Sequence, residues 1–178
     1  MDGTRFMQIS NTFLTTSAPV YWLIVFQLAS EVKGNQNLNG DGLTAAQGGT
    51  SGLQVLESST NLAGLYTPNG SGWKAPNYTS PNLVVGNAYC LAFAYNGTGI
   101  GVDANFSMAV DGSALPYNAE AHGAGSSTAG LSYVGGDGFT GVDSDLNGYL
   151  LDVAYFNTIP SAGDQAALLS YFRSKWNF

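Results

Sequence analysis

The chain has 178 residues, 44% of them hydrophobic and 10% charged, against about 25% charged in an average globular domain. No break in composition divides it, so the length predicts one domain over residues 1–178 with room for a real core. Five basic residues (Arg5, Lys33, Lys74, Arg173, Lys175) lie scattered among twelve acidic ones, for a formal charge of −7, which excludes the clustered cations that nucleic acid or an anionic membrane surface would need.

Polarity is carried instead by Asn, Ser, Thr and 24 glycines. Gly and Asn tolerate positive φ, and Asn, Ser and Thr cap turns through their side chains, so this mixture predicts a turn-rich β protein. In chain order, the opening "MDGTRFMQIS" has no basic segment leading into an apolar one, which argues against a signal peptide, and Phe6 to Ile9 reads as a first strand. "APVYWLIVFQLA" is the longest apolar stretch, too short to span a bilayer, and predicts a strand from Val20 to Ala29. "GNQNLNGDG" reads as a turn before strands at Gly52 to Glu57 and Leu62 to Tyr66. After "TPNGSG", further strands are expected at Leu83 to Val85, Ala88 to Asn96, Asn105 to Val110, Gly130 to Val134 and Tyr149 to Asn157. "AVDGSALP" carries the Asp-Gly signal of a tight hairpin. Strands at this spacing with no helices between them indicate an antiparallel sandwich or barrel.

One helix is expected, over "PSAGDQAALLSYFRSKW". Ser161 can cap it with Asp164 three positions on, and Asp164 suits the positive end of the helix dipole. Leu168, Leu169, Phe172 and Trp176 recur at helical spacing and form an apolar face that must dock on a sheet. Trp22 and Trp176 follow core-facing patterns. Cys90, the single cysteine, sits in "AYCLAFAY" and reads as a small buried hydrophobe, so a disulfide framework and a Cys-rich metal site are both excluded.

"DSDLNGYLLDVAYF" begins like a calcium loop, with Asp143, Asp145 and Asn147 at positions 1, 3 and 5 and Gly148 at position 6 of an EF-hand. Position 12 is Ala154, where a bidentate Glu is needed, and a strand follows where a helix should. "NQNLNGDG" echoes the pattern with neutral oxygens at Asn35, Asn37 and Asn39. Neither loop is an EF-hand. Asp and Asn are also good turn formers before a strand, which explains the residues without a metal.

The end of the chain carries a resemblance. "NGYLLDVAYFNTIPSAGDQAALLSYFRSKW" resembles the closing signature of concanavalin A-like (laminin G-like) jelly-roll domains: a Gly opening the last strand (Gly148), a mid-strand acid before an aliphatic (Asp152, Val153), an aromatic-Asn pair (Phe156, Asn157) and a capped helix ending in an aromatic (Trp176). "DGTRFMQI", "VYWLIVFQLA" and "YCLAFAYNG" followed by "FSMAVDGSAL" match earlier strands of the family in order. The usual acid at the mid-strand place is Glu, so Asp152 departs from the pattern and inherits no role. The resemblance implies an all-β, antiparallel two-sheet jelly-roll sandwich with one short C-terminal α-helix.

What the family does then sets the expectations for function. Jelly-roll glycosidases carry carboxylates alternating along one strand at about 5 Å. Here Glu31, Glu57 and Glu120 are isolated from one another, and no Gly-x-Ser-x-Gly elbow accompanies His122, the single histidine, so no enzyme is expected. Carbohydrate binding, common in the family, needs an aromatic face and neutral amides or carboxylates around it. "GSGWKAPNYT" supplies Trp73, Asn77 and Tyr78, and "LPYNAEAHG" supplies Tyr117, Asn118, Glu120 and His122. The alternative for each is plain packing at the sandwich edge. A rim calcium, frequent in such domains, would fall to Asp137, Asp143, Asp145 and Asn147. Gly/Asn-rich, cysteine-poor modules of this kind look like those on bacteriophage tail or capsid-surface proteins. The expected function is thus a lectin-like module on a virion surface that contacts host glycan. The alternative is a structural or decoration domain that binds other virion proteins, or copies of itself as a homo-oligomer, without sugar; a third reading, ranked below both, is a degenerate glycoside hydrolase that depends on Asp143 or Asp145.

Overall fold

The computed structural model describes residues 7–9, 18–29, 34–41, 52–57, 62–68, 73–74, 77–79, 83–98, 103–118, 132–134 and 148–178. In chain order the strands are β1 (Met7–Ile9), β2 (Val20–Leu28), β3 (Gly34–Asp41), β4 (Gly52–Glu57), β5 (Leu62–Pro68), β6 (Trp73–Lys74) and β7 (Asn77–Thr79). They continue with β8 (Ala88–Tyr95), β9 (Phe106–Val110), β10 (Ser113–Ala114), β11 (Tyr117–Asn118), β12 (Ser132–Val134) and β13 (Gly148–Phe156), and helix α1 (Ala162–Trp176) follows.

Two antiparallel sheets result. An eight-stranded sheet runs β1-β12-β3-β4-β5-β7-β11 with β6 paired to β5, and a five-stranded sheet runs β10-β9-β8-β2-β13. Strand β2 shows why "VYWLIVF" is continuously apolar. It lies inside its sheet, between β8 and β13, and both of its faces are covered. Val20, Trp22, Ile24, Phe26 and Leu28 join Leu91, Phe93, Tyr95, Phe106, Met108 and Val110 in one core cluster. Tyr21, Leu23 and Val25 point the other way and join Cys90 and Phe172 in a second cluster, beneath α1. The first cluster occupies the face turned away from α1, where a sandwich packs its second sheet. Trp22 and Cys90 are each 1% exposed, as their apolar surroundings predict.

Most of the expected elements are found, and two are corrected. "GNQNLNGDG" was expected as a turn, yet Gly34–Asp41 is strand β3, hydrogen-bonded to β4 on one side and β12 on the other. Pairing on both sides supplies what strand propensity lacks, and a register shift between Asn37 and Asn39 absorbs the misfit. Leu83 to Val85 was expected as a strand, but it is a loop closed by a turn in which Asn87 N donates to Val84 O at 3.1 Å. Gly86 takes φ +89° there, which ends any extended run.

Candidate functional site

Four of the residues expected to contact carbohydrate meet at one edge of the eight-stranded sheet. Strand β11 ends the strand order and pairs antiparallel with β7, so that Tyr117 lies opposite Tyr78 and Asn118 opposite Asn77. Directly opposed residues belong to the same face of a sheet, so register alone pairs tyrosine with tyrosine and asparagine with asparagine. The inner neighbour β5 contributes Ala63 opposite Tyr78 and Gly64 opposite Asn77, both small.

Trp73 belongs to the same sheet but to another place on it. It pairs with Pro68 through β6, whereas Tyr78 pairs with Ala63 on the same strand β5. Five residues of strand separate the two register positions, about 16 Å at the rise of a β-strand. Glu120 and His122 lie outside the described residues, as do Asp137, Asp143, Asp145 and Asn147. Among the described residues there is no group of three or more His, Cys, Asp or Glu that could hold a metal. Also among them, no helix is long and apolar enough to cross a membrane.

The junction of α1 with the five-stranded sheet holds the polar contacts that sequence reasoning missed. Gly148 is buried opposite Leu28, and a Cβ on it would overlap the carbonyl oxygen of Gln27. Strand β13 bulges between Leu150 and Asp152, which re-aims the Asp152 carboxylate. Its Oδ2 accepts from Lys175 Nζ at 2.6 Å and from Trp176 Nε1 at 3.3 Å, and its Oδ1 accepts from the backbone N–H of Val153 at 3.0 Å. Burial alone would raise the Asp152 carboxyl, but the hydrogen bonds from Lys175 and Trp176, the Lys175 charge and the Val153 N–H together hold it below the usual carboxylate range. The mid-strand acid therefore anchors the end of the helix. A carboxylate mid-strand and a Lys-Trp pair in the last helical turn are the sequence signal that would have found it.

A second set of contacts holds the Asp-Gly turn between β9 and β10. Asp111 and Gly112 have φ of +52° and +82°, the conformation a two-residue hairpin requires. Asp111 Oδ1 accepts from Cys90 N at 2.7 Å, Asp111 N donates to Cys90 O at 2.9 Å, and Arg173 of α1 donates to Asp111 O. Burial pushes the Cys90 thiol up to about 12, and the neighbouring Asp111 charge adds to the rise. The thiol is neutral and unreactive as a nucleophile at physiological pH.

No family model matches the chain, and no curated protein matches it in sequence. Solved structures do. Domains LG4-5 of the mouse laminin α1 chain match with a TM-score of 0.58 at 16% identity, over 86% of this chain and 39% of that one. Domain 4 of a GH43 extracellular arabinanase from Geobacillus stearothermophilus, solved with arabinotriose, matches with a TM-score of 0.67 at 11% identity, over 95% of this chain and 74% of that one. Trypanosoma rangeli sialidase with sialic acid matches with a TM-score of 0.59 at 16% identity, over 85% of this chain but only 23% of that one. The fold is a concanavalin A-like jelly-roll sandwich with a C-terminal helix, the architecture that the closing segment from Gly148 onward resembled.

Proposed function

We propose that this chain, as one domain, is a non-catalytic carbohydrate-binding module whose site lies along the β7–β11 edge. The observation that carries the reading is the cross-strand pairing of Tyr78 with Tyr117 and of Asn77 with Asn118. Aromatic rings supply a stacking surface for the apolar side of a sugar, and the neighbouring amides supply donors and acceptors for its hydroxyls. With Trp73 about 16 Å along β5, the arrangement suits an extended oligosaccharide better than a single ring. Glu120 and His122, which follow Asn118 closely in the chain, complete the proposed set. The arabinanase domain solved with arabinotriose supports the ligand class by analogy of fold. That the sialidase match covers only 23% of the enzyme chain supports a binding role over turnover. On a glycan array, the parent chain is expected to bind at least one oligosaccharide class, and Tyr117→Ala and Tyr78→Ala to lose most of that signal while keeping the thermal midpoint. Array binding unchanged in both variants would move the site elsewhere.

Calcium at Asp137, Asp143, Asp145 and Asn147 belongs to the same proposal, because these hard oxygen donors immediately precede the rigidly placed Gly148. Added calcium is expected to raise the thermal midpoint, and Asp145→Asn to remove that rise. A midpoint indifferent to calcium and chelator would leave these residues as turn formers.

The virion surface is the setting we propose for the module, on the style of the sequence. A second reading, a decoration domain that binds virion proteins or its own copies, is favoured by β13. Among the described residues this strand pairs only with β2, and Tyr149, 56% exposed, lies on it.

A further inference from the structure

Helix α1 does not cover its sheet evenly. Leu168, Leu169, Phe172 and Trp176 pack into the cluster with Tyr21, Leu23 and Val25. Towards the helix N-terminus the same face carries Ala162 and Ala166, and the strands beneath present Ala92 of β8 and Ala109 of β9. Methyl groups on both sides cannot fill the separation of about 10 Å at which a helix rests on its neighbour. What remains is a half-open cavity of about 250 Å³, with Tyr21 and Cys90 on its inner wall and Gly112, Ala162 and Ala166 exposed at its rim.

The size and chemistry of this space narrow what it can hold. Protein interiors are close-packed and contain few voids larger than a water molecule. An apolar cavity of about 150 Å³ already takes up benzene instead of water. No charged side chain lines this one, so its wall offers no partner to a charged ligand. The polar groups on its wall are few. Among them the Gln165 amide is already engaged, its Nε2 donating to Pro160 O at 2.8 Å.

We propose that the cavity between α1 and the outer face of the five-stranded sheet binds an uncharged, largely apolar molecule of about one aromatic ring. The site shares no residue with the β7–β11 edge and does not depend on the carbohydrate reading. A ligand held there stabilises the folded chain by mass action.

The test uses the intact chain with benzene and indole as probes. Both are expected to raise the thermal midpoint saturably. Ala166→Leu narrows the cavity from a helical position that favours leucine, and it is expected to fold and to lose the probe-induced shift. Ala109→Val narrows it from the sheet and serves if the helical variant does not fold. The proposal is overturned if neither probe moves the midpoint of the parent chain. It is equally overturned if the shift persists in the folded variants, since the probes would then be binding elsewhere.

Discussion

At Gly148 the requirement is space. The backbone of β2 comes so close that a methyl group would overlap the Gln27 carbonyl, and the glycine cannot move aside because it is buried at the start of a long strand pairing in its sheet. Gly148→Ala is expected to cost about 3 kcal/mol, read as a lower urea midpoint with an unchanged slope. Asp152 makes a prediction of a different kind. Its carboxyl titrates below its unfolded value near 3.9, so its contribution is complete above about pH 5 and is lost as the pH falls through the folded pKa. Asp111 works in the opposite sense, because burial raises its carboxyl in spite of the Cys90 N–H and the Arg173 charge. The difference in thermal midpoint between the parent chain and Asp152→Asn should therefore be constant from about pH 5 to pH 7 and shrink below about pH 4. A difference that stays the same down to pH 2 would remove the ion-paired carboxylate from the account.

At the scale of elements, α1 acts as the cover of the outer sheet face. Its start is held by Ser161, whose Oγ accepts from Asp164 N at 3.2 Å and donates to Asp164 Oδ2 at 2.7 Å. Its end is closed by Asn177 in the left-handed conformation, whose N–H donates to Arg173 O at 2.8 Å. Phe172, 4% exposed, is the buried anchor between these ends. Phe172→Ala is expected to destabilise by about 3 to 5 kcal/mol in thermal or urea unfolding, because it opens a void over Tyr21, Leu23 and Val25. The helix, its cap and its apolar face were legible in the sequence because each depends on neighbours within a few positions. So was β2, whose apolar run is long enough to demand burial on both faces. Strand β3 was not legible: Asn and Gly favour turns locally, and only its partners β4 and β12, distant in sequence, make it a strand. The same limit applies to the candidate site. Trp73, Asn77, Tyr78, Tyr117 and Asn118 could be chosen for their chemistry, but the register that sets Tyr78 against Tyr117 is a property of the folded sheet.

The whole molecule divides its work between two sheets. The five-stranded sheet, clamped by α1, Asp152 and the Asp111 turn, carries both described apolar clusters. The eight-stranded sheet carries every described residue of the proposed carbohydrate site and ends in the two-residue strand β11. A short edge strand resists adding a foreign strand, so a ligand there must be recognised by side chains and not by continued backbone pairing. The low charge of the chain, 10% of its residues, fits a neutral ligand recognised by rings and amides. The most direct test is an amide chemical-shift titration of the intact chain with an oligosaccharide selected on the array. The account predicts saturable shifts centred on residues 77–79 and 117–118, absent in Tyr117→Ala. Saturable shifts confined to α1 and the five-stranded sheet, with residues 77–79 and 117–118 unmoved, would contradict it.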